Sequence, residues 1–239
     1  MSIDETIYDK IQTIIGNLDG NLNILEEEID INIQLEYFEL SKELKKNQLY
    51  LNKLQAIEVL KSANNKNTEL KKAILSLSIL NDVEALRALE QFLKQSNGEI
   101  RKWALIACQE NKMLIESSLL DQNQIFITTG LGGKNGKLRY CLAIPVSNKK
   151  ELSYAEQNII TEEFSEVISQ FSSTIEEMYF SDKNYLFGLV LVPLKIPIKR
   201  LFTTAIAHCN EYGNFLNTDY LITNVKIPLE EEIVSYFFK

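Results

Sequence analysis

Apolar residues recur every three or four positions through most of the first 120 residues of the chain. Leu70, Ala73, Ile74, Leu77 and Leu80 do so in the segment from Glu69, and Val83, Leu86, Leu89, Phe92 and Leu93 in Asp82–Lys94. Ile100, Trp103, Ala104, Ala107 and Cys108 repeat the spacing in the segment from Glu99. That period gathers each set on one side of an α-helix. Asn81-Asp82 predicts an N-cap, since a short polar side chain accepts from the free N–H groups of a first turn, and Ser96-Asn97-Gly98 predicts a break. Upstream, Ile7, Ile11, Ile14, Ile15 and Leu18 predict a short amphipathic helix over Thr6–Leu18. In LEEEIDINIQLEYFELSKELKK the centre, Ile29–Leu35, alternates as a strand does, but its flanks and neighbourhood favour helix.

Beyond about residue 122 the pattern changes. Gln124–Val146 reads as two β-rich runs around Asn135-Gly136, a dipeptide that supplies the positive φ angles of a tight hairpin. Ile159, Ile160, Phe164, Val167, Ile168, Phe171 and Ile175 predict one long helix over Tyr154–Met178. Tyr185–Pro193 is almost wholly apolar, as a strand covered on both faces should be. Pro197 predicts the start of a helix to about Glu211, and Asp219–Leu229 a last strand before an acidic-aromatic tail. The order ββαβαβ implies a small sandwich-like sheet with both helices on one face. Composition marks the same boundary. All four prolines, nine of eleven phenylalanines and seven of ten tyrosines follow it, and 14 basic and 20 acidic residues precede it. The expected fold class is α+β in two domains: a helical domain, 1–122, and an α+β domain, 123–239.

The helical segments share more than period. ELKKAILSLSIL and EIRKWALIACQE lie 30 residues apart, and each opens with Glu, an aliphatic residue and two basic residues. Helix pairs recurring at such intervals characterise α-solenoids, in which each pair buries its apolar face only against its neighbours. SILNDVEALRALEQFLKQSNGEIRKWALIAC resembles a short HEAT repeat: Asp82, Ala85, Leu86 and Leu89 match its turn and second helix, and Ile100-Arg101 its next opening step. The resemblance covers about residues 69–115 and reaches back towards Leu54–Ala63, so 54–115 at its widest. It departs from the pattern at Trp103, where a small residue is usual, and at Leu80-Asn81, where a glycine is expected. The resemblance implies a stacked-helix surface used for protein contacts, with Arg101 bracing neighbouring repeats and Trp103 beside it, and it carries over no catalytic residue.

The 239 residues are 45% hydrophobic and 24% charged, with a formal net charge of -8. An acidic balance disfavours coating of nucleic acid, which needs clustered Lys and Arg. No apolar run is long enough to span a bilayer, and the acidic start MSIDETIYDK lacks the character of a secretory signal. Cys108, Cys141 and Cys209 are odd in number and sit in apolar runs, as reduced core residues do. The expectation is a cytoplasmic protein.

Four of the nine glycines fall at Gly130, Gly132, Gly133 and Gly136, among Lys134 and Lys137. A phosphate-cradling Walker loop requires a glycine five residues before Gly-Lys and Ser or Thr after it; Leu131 and Leu138 stand in those places, and LRYCLAI follows as a strand instead of a helix. A flexible hairpin is the favoured reading, ahead of an ordered binding loop. Lys134, Lys137 and Arg139, with Lys149-Lys150, Lys195, Lys199 and Arg200, would hold a small anion if they converged; a solvated rim is the competing reading. His208 and Cys209 are adjacent on one helix and so diverge, which disfavours a shared metal and leaves His208 and the cysteines as core residues. No cofactor, metal or catalytic residue is implied. The sequence points to a non-catalytic adaptor that binds another protein through a helical face, and secondarily to a regulator that holds a small anion near the glycine-rich hairpin.

Overall fold

The structure is a computed structural model that describes residues 21–62, 65–122, 124–147 and 151–238. The helix expected over Thr6–Leu18, and Lys149 and Lys150, lie outside the described residues. The fold mixes helix and sheet, as an α+β chain should, and divides into two compact units, one spanning Asp19–Thr128 and the other built on Thr129–Lys239.

The first unit opens with β1 (Asn21–Ile24), followed by α1 (Ile31–Asn47), α2 (Lys53–Lys61), α3 (Asn67–Ser78), α4 (Val83–Gln95) and α5 (Gly98–Leu120), and closes with β2 (Gln124–Ile127). The ambiguous segment is helical from Ile31, where Asp30 caps the first turn by accepting from the Asn32 N–H at 2.7 Å. Asp82 caps α4 through the Glu84 N–H at 2.7 Å and the Ala85 N–H at 3.3 Å. α3 packs against α2, α4 and α5, so Ala73 to Ser78 are buried on every side of the helix. Asn111 of α5 donates its amide to the carbonyls of Leu77, at 2.8 Å, Ser78 and Leu80, closing the C-terminus of α3 with an interior side chain. One core runs from Leu25 and Ile29 through Tyr37, Ile74, Leu77 and Leu89 to Trp103 and Ile106.

The pairing of β2 corrects the sequence expectation. Gln124–Ile127 lies parallel to β1, Asn21 opposite Gln124 and Ile24 opposite Ile127, and is not the first arm of the glycine-rich hairpin. A four-residue strand whose partner lies about a hundred residues upstream leaves no local signal, and NLNI alternates too briefly to announce itself.

The second unit contains β3 (Gly133–Lys134), β4 (Lys137–Pro145), α6 (Tyr154–Gln170), β5 (Thr174–Ser181), β6 (Tyr185–Pro193), α7 (Ile198–Glu211), β7 (Leu221–Thr223) and α8 (Glu230–Phe237). The hairpin turn is the two-residue Asn135-Gly136, with φ of 51° and 72°. The sheet runs β3-β4-β6-β5, with β7 also paired to β4, and its observed neighbours are antiparallel. Alternation along β4 and β6 sorts two faces. Leu142, Ile144, Leu186, Val190 and Val192 lie beneath α6 and α7, together with Ile160, Phe164, Leu201 and Phe202. Cys141, Ala143, Tyr185 and Phe187 form the other face with Leu131 and Ile233. β6 is thus apolar because both its faces are covered.

Three expectations change here. The helix expected over Tyr154–Met178 ends at Gln170, and Thr174–Ser181 is an added strand, so the order is not ββαβαβ. The last strand shrinks from Asp219–Leu229 to three residues opposite Cys141, Leu142 and Ala143. The acidic-aromatic tail is a helix, with Glu230, Glu231 and Glu232 in its first turn, where carboxylates favour the helix dipole.

Candidate functional site

In the helical unit, the first turns of α2 and α4 are clasped together. Asn52 and Gln55 form a capping box that starts α2, which puts Lys53 at its first position. The Lys53 ammonium reaches Asp82 Oδ2 at 2.8 Å and Glu84 Oε2 at 2.7 Å, on the cap and first turn of α4. The Lys53 ammonium and backbone N–H donors hold the Asp82 carboxyl below its usual range. The residues next to this clasp are apolar and face solvent: Leu54 is 73% exposed and Val83 51%, with Leu49 and Ile79 exposed as well. Elsewhere in the unit α1 packs on α5. Its Tyr37 is buried against Trp103, ring centres 5.3 Å apart, and donates to Glu110 Oε2 at 2.6 Å. Burial, and then the neighbouring Glu110 charge, push the Tyr37 phenol up.

Trp103 belongs to this interior. It is fully buried, and the Lys71 ammonium sits 4.5 Å above its ring while bridging Glu36 and Glu99, each at 2.7 Å. Burial pulls Lys71 down, but the two carboxylates outweigh it and its net shift is upward. The large Trp103 ring fills space between α1 and α5, against Tyr37. Arg101 instead lies at the surface and pairs with Glu27, 2.9 Å away, in the segment between β1 and α1. Its visible partner is therefore that segment, not a neighbouring helix pair.

In the second unit, register brings the hairpin near the start of α7: Lys137 is opposite Pro193, just before Lys195, Lys199 and Arg200. Lys134, Lys195, Lys199 and Arg200 are exposed. Lys137 donates to Thr174 Oγ1 at 2.9 Å. Arg139 turns elsewhere: its guanidinium grips both oxygens of Glu176 and donates to the Leu131 carbonyl at 2.7 Å. Sequence reasoning missed Glu176 because it was assigned to a helix. Its carboxylate lies within the field of Lys134 as well, so the strongest basic group at the hairpin is already neutralised.

The glycines have structural uses. A Cβ on Gly130 would overlap the Val225 carbonyl, and the following Leu131 N–H bonds Asn224 O at 3.0 Å. Gly136 supplies the hairpin's left-handed φ. The cysteine expectation fits the geometry. Cys141 and Cys209 are buried and Cys108 partly so, and burial pushes all three thiols up to about 12. His208 is a correction. Its side chain is 40% exposed, with Nδ1 3.4 Å from Glu163 Oε2, because it lies on the outer flank of α7 and not on the stripe of Leu201, Phe202, Ala205 and Cys209. Among the described residues no group of three His, Cys, Asp or Glu side chains is placed to hold a metal, and no helix is long and apolar enough to cross a membrane.

Compared with known proteins, the chain matches no protein-family model, and no significant match is found among curated proteins.

Proposed function

We propose that this chain is a non-catalytic, cytoplasmic interaction protein whose helical unit docks another protein on the side carried by α2 and α4. The observation that carries this reading is the Lys53 clasp, which holds two helix starts together while leaving Leu54 and Val83 in water. Rigid, exposed aliphatic side chains bordered by a fixed ion pair are what a protein contact needs: apolar area to bury, and a polar edge to set register. A HEAT-like organisation is supported by α2 packing on α3 and on α4, and α3 and α4 on α5, as stacked helix pairs would. The alternative, a regulator binding a small anion near the glycine-rich hairpin, has the exposed Lys134, Lys199 and Arg200 in its favour and Glu176 against it.

The test is affinity purification of the tagged chain at its native level, followed by a salt wash and mass spectrometry, beside a Leu54→Glu plus Val83→Glu variant. Both positions are exposed, so the variant should unfold within about 0.5 kcal/mol of the parent. One stoichiometric protein retained by the parent and lost by the variant is the expected result. A partner that binds both equally removes the assignment of this face, and a partnerless parent removes the adaptor reading.

A further inference from the structure

The second unit has an open cleft of about 470 Å³ that none of the features above uses. Pro145 and Val146, at the end of β4, form one wall; Tyr236, Phe237 and Phe238, at the end of α8, form another; Asn217 and Asp219 complete it. Its size is in the range that takes a small ligand or one long side chain.

The chemistry of the lining is one-sided. Among the described residues that line it, Asp219 is the one charged group and has no ion pair; it is exposed, and its own N–H bonds Asn217 Oδ1 at 3.0 Å, fixing the turn that carries the carboxylate. The same lining holds three consecutive aromatic residues. Tyr236 and Phe237 are nearly perpendicular, at 88° with centres 4.9 Å apart, and Phe237 and Phe238 meet at 64° and 6.2 Å. An aromatic ring in the lining offers an electron-rich face to a cation, and the exposed Tyr236 is the ring best placed to do so. Ile233, buried beneath α8, anchors the helix that carries them, although Tyr236 remains 44% exposed. Tyr236 is exposed, Phe237 and Phe238 are partly buried, and a carboxylate in the same lining repels anions.

We infer that this cleft binds an organic cation, a primary alkylammonium held by the Asp219 carboxylate and the rings of Tyr236, Phe237 and Phe238. The cation is either a free amine or a lysine side chain of a peptide; the shared chemistry is the ammonium on an alkyl stem. The inference is independent of the docking face on the helical unit.

An NMR titration of the full chain tests it, following the amide signals of Val146 and Tyr236. Butylammonium is the free-cation probe, 1-pentanol its neutral counterpart, and an acetylated Gly-Lys-Gly amide the peptide probe. Saturable shifts with butylammonium, and binding of 1-pentanol roughly tenfold weaker or worse, are expected. Asp219→Asn and Tyr236→Ala, both at exposed positions, should each weaken butylammonium by about three- to tenfold while leaving the unfolding midpoint unchanged. Tighter binding of the peptide than of butylammonium assigns the site to lysine side chains, and the reverse assigns it to free amines. The inference is overturned if butylammonium does not saturate, if 1-pentanol binds equally well, or if Asp219→Asn changes nothing.

Discussion

At Arg139 the guanidinium directs its planar fork at Glu176 and its remaining donor at the Leu131 carbonyl, with the pair about one-fifth to one-quarter exposed. Bidentate geometry makes this a stronger contact than an ordinary surface ion pair. It also dictates a pH dependence. The Arg139 bonds lower the Glu176 carboxyl, burial opposes them more weakly, and the charges of Arg139 and Lys134 add to the lowering. A group whose folded pKa lies below its unfolded value stabilises the fold above the unfolded value, roughly pH 4.3 for a glutamate, and loses that contribution as pH falls through the folded one. Glu176→Gln should therefore melt below the parent at pH 7, and the gap should close on acidification below about pH 4. Thermal melts at pH 7, 5, 4 and 3 read this directly; a gap that widens in acid contradicts the assignment. Residue type alone made Arg139 an anion ligand, and nothing local could reveal that its partner sits on a strand two positions away in the sheet.

At the scale of elements, the misread segment has a specific cause. Ile175 and Met178 are three apart, as on a helix, and follow α6 without a proline or glycine between. In the sheet they pair with Val190 and Gly188, two apart on β6, because a bulge between Ile175 and Glu177 inserts one residue. A β-bulge thus converts the strand period of two into a helical-looking three. What ends α6 is Ser172, at φ of 54°, which the sequence does not flag as glycine would. Elements whose partners are close in sequence were legible: the Asn135-Gly136 hairpin, the Asp82 cap and the Pro197 helix start. α8 was not, since three glutamates before aromatics look like a solvated tail. Its hold on the sheet is the buried Ile233, with the partly buried Phe237 packed beside it. Ile233→Ala should release the helix: hydrogen exchange across 230–237 should rise sharply while the amides of β4 and β6 stay protected. The midpoint should fall by less than the 2–5 kcal/mol typical of a deep Ile→Ala cavity, because fraying relieves the void. Retained protection of α8 with a full-size loss of stability would mean that the helix belongs to the main core.

On the scale of the whole molecule, each unit carries a core of its own and a probe that reports on it. The chain's one tryptophan, Trp103, is fully buried in the helical unit, whereas Cys141 and Cys209 are buried in the sheet-containing unit. Thiols held near pKa 12 react slowly at pH 8, so their labelling, mapped by peptide mass spectrometry, follows opening of the second core, and Trp103 emission follows the first. Leu77→Ala and Phe164→Ala remove fully buried or nearly buried side chains from the respective cores, each at a cost of about 3–4 kcal/mol. If each core closes on itself, Leu77→Ala lowers the denaturant midpoint of Trp103 emission and leaves the labelling rates of Cys141 and Cys209 near those of the parent. Phe164→Ala then does the converse. The alternative is one cooperative transition, in which either substitution moves both probes by the same free energy. That outcome would tie the exposed helical face and the aromatic cleft to a single folding equilibrium, so that a ligand stabilising one unit would raise the apparent stability of the other by mass action. Separate transitions would confine each ligand's effect to its own probe, and butylammonium would then slow Cys141 labelling without shifting the emission of Trp103.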